Sequence, residues 1–145
     1  MKLKDRVALV TGGGRGIGQA IAIAFAEEGA DVIVAARSVA ELEETVQRIE
    51  ATGRKGIALP VDLSQGETIA SFVETIASRR PAVDILVNNA GIGSGMNAKL
   101  VVDFDDDFWD TSIRLNLTVP YLLSKAFMPS MIEAGWGRVI NISSV

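Results

Sequence analysis

Two chemistries can be read from residue types and their spacing. In "PYLLSKAF" (120–127), Tyr121 and Lys125 stand four residues apart. On a helix that spacing puts them on one face, where a phenol beside an ammonium makes an acid/base pair. Upstream, "TGGGRGIG" (11–18) carries five glycines in eight residues. Glycines let a backbone turn tightly and let a diphosphate reach amides without interference from Cβ atoms. The chain has one tyrosine, no histidine and no cysteine. Disulfides, thiolate nucleophiles, imidazole bases and most zinc sites are therefore excluded.

These residues need elements to position them. "RVALV" (6–10) is a short β-branched run that ends on glycines and reads as a buried strand. Ile17, Ile21, Ala24, Phe25 and Glu28 then follow helical spacing, and Gly29 stands at the C′ position. "DVIVAA" (31–36) is a second buried strand. Leu42, Val46 and Ile49 make an amphipathic stripe with a Glu44–Arg48 i,i+4 pair, and Gly53 ends that helix. "KGIALPV" (55–61) is a third strand, and Ile69, Phe72, Val73 and Ile76 mark a third helix. "VDILVNN" (83–89) is a fourth strand, followed by the glycine-rich "AGIGSG" (90–95). A helix begins within "DFDDDFWD" (103–110), a longer one runs from about Asn116 to Ala134, and "GRVINISS" (137–144) is a fifth strand. Strand and helix alternate, and the strands are apolar on both faces. The expected fold is α/β, a doubly wound parallel sheet with helices on both faces, in one domain over 1–145.

Composition agrees with a single globular domain: 145 residues, 48% apolar and 22% charged. The net charge of −4 and a pI near 4.8 argue against nucleic acid or an anionic membrane as partner. "MKLKDR" has no apolar signal segment behind it, and runs such as "AIAIAFA" are too short to span a bilayer. A soluble cytoplasmic protein is expected.

The glycine loop departs from the G-x-G-x-x-G string, because Ile17 stands where its third glycine would fall. It also lacks the G-K-[ST] of a P-loop, which argues against an NTPase. Its spacing is Gly12-x-x-x-Gly16-x-Gly18. With "NNAG" (88–91) after the fourth strand and "GRVINISS" in the fifth, this order resembles the short-chain dehydrogenase/reductase family, a Rossmann-type fold, over the whole chain. Within it the resemblance is to members of the 3-oxoacyl-[acyl-carrier-protein] reductase type. The implied activity is hydride transfer between a nicotinamide and a carbonyl or secondary alcohol, with reduction the favoured direction.

An acidic residue at the end of the second strand usually selects NAD by accepting from the ribose hydroxyls. Here the chain reads Ala35, Ala36, Arg37. Arg37 with Arg15 could clamp a 2′-phosphate through charge-assisted hydrogen bonds, so NADP is expected over NAD. The alternative is that Arg37 is a solvated residue opening the next helix. Amides and faces from Gly12, Gly14, Arg15, Gly16, Ile17 and Gly18 would hold the diphosphate. The resemblance implies that Asp62 and Leu63 hold the adenine edge, and that Asn89, Ala90 and Gly91 line the riboses. Asp62 could instead cap the following helix, as could Ser64. Asn88 reads as a tie between strands.

The resemblance also implies a serine on the substrate oxygen, a tyrosine whose pKa is lowered by a lysine, and an asparagine that helps hold a proton-relay water. Ser144 matches the serine, and Ser143 reads as serving strand-end geometry. Asn116 matches the asparagine. Pro120, four residues on, has no N–H, which leaves the Asn116 carbonyl without a helical donor and open to water. The alternative is a plain polar residue at a helix start.

Tyr121 does not fit that site. At roughly 100° per residue it lies roughly 140° around a helix from Asn116. Leu115, Val119, Leu122, Leu123, Ala126 and Phe127 form a stripe on the Asn116 side, while Tyr121, Lys125, Met128 and Ile132 fall opposite. The family tyrosine, moreover, follows the serine, whereas Tyr121 precedes it. The pair is a decoy, and no Tyr-x-x-x-Lys follows Ser144. The expectation is an N-terminal portion of a longer enzyme, inactive by itself, with the fifth strand as an unpaired edge. The second apolar side of the long helix, with Leu117, would meet another subunit in a dimer or tetramer.

"DFDDDFWD" fails as a calcium loop, since Phe108 replaces the glycine and Arg114 the closing glutamate, and reads as a capped helix start. Ser94 lacks the G-x-S-x-G elbow and a histidine, and reads as part of a loop near the nicotinamide. No metal site is expected. Two competing readings stand beside the enzyme. One is a non-catalytic dinucleotide-binding or redox-sensing module. The other is a different Rossmann-like enzyme such as a methyltransferase, against which "NNAG" and "NISS" argue.

Overall fold

The structure is a computed structural model that describes residues 1–79, 82–93, 95 and 98–144. Five parallel strands form one sheet in the order β3-β2-β1-β4-β5: β1 Val7–Thr11, β2 Asp31–Ala36, β3 Gly56–Pro60, β4 Ile85–Asn88 and β5 Arg138–Asn141. The register aligns Leu9 with Ile33 on one side and Leu86 on the other. The two outward reversals of strand order begin at β1, so its C-terminal end sits at the switch point where such sheets open a crevice.

Side chains alternate across the sheet and feed two cores. Ala8, Val10, Val32 and Val34 meet α1 (Gly16–Glu27) and α2 (Val39–Glu50). Val7, Leu9, Ile33 and Leu86 meet α3 (Thr68–Arg79) and α5 (Val119–Glu133). Gly29 and Gly53 follow α1 and α2 at φ +98° and +84°, the left-handed conformation that glycine adopts without steric cost.

The buried face of α1 differs from the expected stripe. Gly18, Ala22 and Ala26 face the sheet, whereas Ala24 is exposed and Ile17 is 63% exposed. Small residues let the helix axis come close to β1, and the larger side chains flank the contact. In α2 the expected Glu44–Arg48 pair is not made; the Arg48 guanidinium donates to Gln19 Oε1 at 3.0 Å instead. β5 ends at Asn141, short of Ser143 and Ser144, and Ala126 of the expected α5 stripe is exposed.

The segment before α5 brings the largest correction. No helix starts at Asn116. Instead α4 (Asp106–Ile113) runs into a π-helical turn, Arg114–Thr118, and on into α5. The Val119 amide reaches back five residues to the Arg114 carbonyl. Pro120 cannot donate to Asn116, and widening by one residue lets the helix pass the missing donor without breaking. The acidic run behaves as expected: Asp105 caps α4 by accepting from the amides of Asp107 and Phe108 at 2.9 and 3.4 Å.

Candidate cofactor site

A cleft of about 740 Å3 opens at the C-terminal end of β1, β2 and β4. Its floor is the glycine loop, contributing Gly12, Gly14, Arg15, Gly16 and Ile17. Gly12 and Gly16 adopt φ of +64° and +57°, which a residue with a Cβ takes only with strain. A Cβ on Gly16 would meet no heavy atom within 4 Å, so that side of the loop is open. The loop leads into α1 through Arg15, whose side chain makes no capping bond. The first-turn amides thus have no capping side chain, at the end of a helix whose dipole favours anions.

The loop is held from behind by side chains that the motif does not name. Thr45 of α2, fully buried, places its hydroxyl 3.2 Å from the Gly14 carbonyl and 3.0 Å from the Glu41 carbonyl. Gln19 Nε2 donates to Thr45 Oγ1 at 2.9 Å and to the Gly14 carbonyl at 3.3 Å. A trans peptide points its C=O and N–H in opposite directions, so anchoring this carbonyl beneath the loop turns the Arg15 amide away from α2. Thr11 is a second brace. Its hydroxyl donates to the Val87 carbonyl at 3.3 Å and accepts from the amides of Asn89 and Ala90, both at 3.0 Å.

The walls come from the ends of the neighbouring strands. Arg37 follows β2, and Asp62 and Leu63 follow β3. Ser64 satisfies Asp62 Oδ1 through its hydroxyl at 2.6 Å and its amide at 3.0 Å. That hydroxyl bond is the main reason the Asp62 carboxyl titrates below its ordinary value, with the Ser64 amide and the Arg37 charge acting the same way. Asp62 therefore both organises the turn after β3 and lines the cleft. Asn89, Ala90 and Gly91 form the opposite wall. The Asn89 side-chain amide is engaged with the carbonyls of Thr11 and Gly12, at 3.1 and 3.3 Å, and presents no free donor pair to the cleft. Asn88 ties β4 to β5 through Asn141 Oδ1 at 2.8 Å, as its position suggested.

Three expected site residues do not line the cleft. Gly18 lies behind it, where a Cβ would collide with the Gly12 carbonyl, so its part is close packing of α1 on the loop. Asn116 has its side chain engaged: Nδ2 donates to the Ile92 carbonyl at 2.9 Å and sits 3.2 Å from Ser112 Oγ. Gly91 is packed against the same amide. The Asn116 side chain thus tethers the loop after β4 to the helix. Ser144 lies beyond β5 at the same edge of the sheet, exposed. Ser94 is outside the described residues. Tyr121 is 59% exposed on α5 with the Lys125 ammonium 5.9 Å from its ring centre, and neither lines the cleft. Among the described residues no acidic cluster could hold a metal ion, and no helix is long and apolar enough to cross a membrane.

Residues 6–145 fit the family model described as short chain dehydrogenase. The chain belongs to the short-chain dehydrogenase family. It is 43% identical over 145 residues to a 3-oxoacyl-[acyl-carrier-protein] reductase of Pseudomonas aeruginosa, covering all of this chain and 58% of that protein. For the reductase of the same description from Vibrio harveyi the identity is 41%, covering 57% of that protein. Among solved structures, a metagenomic short-chain oxidoreductase in complex with NADP superposes with a TM-score of 0.93 at 40% identity, covering 100% of this chain and 65% of that one. L-Sorbose reductase of Gluconobacter frateurii, complexed with NADPH and L-sorbose, gives 0.91 at 32% identity, covering 100% and 55%. The chain thus spans a little over half the length of the curated reductases it matches.

Glu41 in the cleft wall and the braces Thr11, Gln19 and Thr45 behind the loop have roles that the motifs do not mark. Only Glu41 had a local signal, as a carboxylate three residues after the helix cap Ser38.

Proposed function

We propose that this chain is the cofactor-binding part of an NADP(H)-dependent oxidoreductase acting on a small carbonyl or secondary alcohol, in the reducing direction, in the cytoplasm. The observation that carries this reading is the pair of guanidiniums, Arg15 and Arg37, at a glycine-floored cleft whose β2 end supplies no carboxylate. The residues present fit a dinucleotide phosphate. The open face of Gly16 and the uncapped start of α1 suit a pyrophosphate, and the two arginines suit an additional 2′-phosphate. The relatives solved with NADP and NADPH support the same choice.

When bound, the nicotinamide supplies or accepts the hydride. The chain's own residues bind and orient: the Arg15-side amides hold the diphosphate, Asp62 and Leu63 face the adenine, and Asn89, Ala90 and Gly91 enclose the riboses. Gly18 lets the loop and helix approach. Ser144 would hold the substrate oxygen by hydrogen bonding, and the Asn116 carbonyl, with no donor from Pro120, would hold a water for proton relay. Tyr121 is not the proton donor in this reading, so residues 1–145 bind the cofactor without turning it over.

The exposed apolar face of α4 and α5, with Trp109, Leu117, Tyr121, Met128 and Ile132, is read as the contact with a second copy in a homo-oligomer. The test of the cofactor assignment is a fluorescence titration with NADPH and NADH. NADPH should bind at least about tenfold more tightly, since one charge-assisted phosphate contact is worth that much. Arg37→Ala should bring the two affinities together. Equal affinities in the parent chain would end the assignment.

A further inference from the structure

The cleft contains a carboxylate where a phosphate pocket would be expected to exclude one. Glu41 belongs to the first turn of α2, and its side chain lies across Gly14: a Cβ on that glycine would come 3.1 Å from Glu41 Cβ and 3.3 Å from Oε2. Glu41 lines the cleft with Arg15 and Arg37, and its Oε1 is 4.0 Å from the Arg15 guanidinium.

The local sequence offers this residue another partner. Ser38-Val39-Ala40-Glu41 has the form of a capping box, in which the N3 carboxylate reaches back to the N-cap amide. Half of that box is present, since the Ser38 hydroxyl accepts from the Glu41 amide at 3.4 Å. The other half is not: the carboxylate turns to Arg15 instead. With 40% and 81% of the two side chains exposed, the ion pair contributes little to folding, and its consequence falls on the ligand.

We propose that Glu41 is a selectivity-limiting residue for the nucleotide. It occupies Arg15 in the free protein and repels a 2′-phosphate entering between Arg15 and Arg37, so that the preference for phosphorylated nucleotides is held below what two arginines would give. This rests on the NADP(H) reading of the cleft. Arg15 has to exchange one anion for another when the nucleotide binds, and the carboxylate it releases remains within the same wall. An unphosphorylated adenosine pays neither cost.

The test uses the two halves of the question separately, as 2′,5′-ADP and 5′-AMP titrated by calorimetry into the parent chain and Glu41→Gln. The substitution keeps size, removes the charge and exchanges one acceptor oxygen for an amide donor. Like charges a few ångströms apart near the surface predict a gain of about three- to tenfold in 2′,5′-ADP affinity at low salt, falling to about twofold or less at ~1 M salt. The 5′-AMP affinity should change less than about twofold, because 5′-AMP lacks the 2′-phosphate that enters beside Glu41. A 2′,5′-ADP affinity that is unchanged, or weakened because Glu41 was holding Arg15 in place, overturns the proposal. The cofactor assignment is read from the parent alone: if the parent prefers 2′,5′-ADP, that assignment survives whichever way Glu41→Gln falls.

Discussion

Gly18→Ala isolates a steric demand that the cleft places on its own scaffold. The added methyl would collide with the Gly12 carbonyl oxygen, lie 2.8 Å from the Gly12 carbonyl carbon and 2.6 Å from Asn89 Nδ2. Neither neighbour can retreat freely. Gly12 is pinned by its amide bond to the Ala35 carbonyl at 2.7 Å, and Asn89 by its two bonds to the loop carbonyls. Overpacking costs about 1–3 kcal/mol, and weakening the Asn89 bonds adds about 1 kcal/mol, for a total of about 3 kcal/mol. At about 2–4 °C per kcal/mol for a chain of this size, Tm should fall by about 10 °C. The displaced atoms also line the cleft, so NADPH affinity should drop about tenfold, the equivalent of one phosphate hydrogen bond. Thermal unfolding and the nicotinamide fluorescence titration measure both. Gly93→Ala, where a Cβ meets nothing within 4 Å, is the control and should stay within about 0.5 kcal/mol. A Gly18→Ala chain that melts within about 2 °C of the parent would refute the reasoning, because less than 1 kcal/mol would then have been lost.

Thr45→Val removes the buried hydroxyl that meets the Gly14 carbonyl and accepts from Gln19. Chemical denaturation should show a loss of about 1–3 kcal/mol, largely restored by Thr45→Ser, and an equal loss in both variants would point to packing alone. Met128→Glu places a charge on the outward face of α5 and should weaken self-association at least about tenfold by light scattering, given the cost of desolvating a carboxylate in a contact. An oligomer of unchanged mass would remove that face from consideration.

What was legible in the sequence follows from how local each cause is. The strand β2 could be read to the residue because an apolar run bounded by polar neighbours has one way to be buried on both faces. Gly29 and Gly53 were legible for a similar reason: a left-handed residue after a helix is a backbone requirement that one residue type meets best. Pro120 was half legible. Its missing N–H is a property of the residue, and it removes the i+4 donor that a regular helix would give the Asn116 carbonyl. Whether the helix then starts, breaks or widens depends on how well α4 is held. With Asp105 capping it and the chain beyond packed through Val119 and Leu123, widening to a π turn keeps both halves.

The residues that escaped notice share a different feature: their roles are decided by partners far away in the chain. Thr45 looks like an unfavourable, β-branched guest in an amphipathic helix, and its hydroxyl becomes meaningful only once α2 lies against a loop 31 residues earlier. Gln19 looks like solvent-facing surface until Thr45 is beneath it. Glu41 has a satisfactory local explanation in the capping box, which is why nothing prompts a second one. The alanine-rich contact of α1 escapes helical spacing because spacing ranks residues by size, whereas a helix packed close against β1 selects the smallest side chains for its nearest face. Glycine-based recognition is thus readable from sequence, because the ligand meets backbone. The braces behind it are not, because any hydroxyl or amide of suitable reach can serve, and only the assembled fold decides which one does.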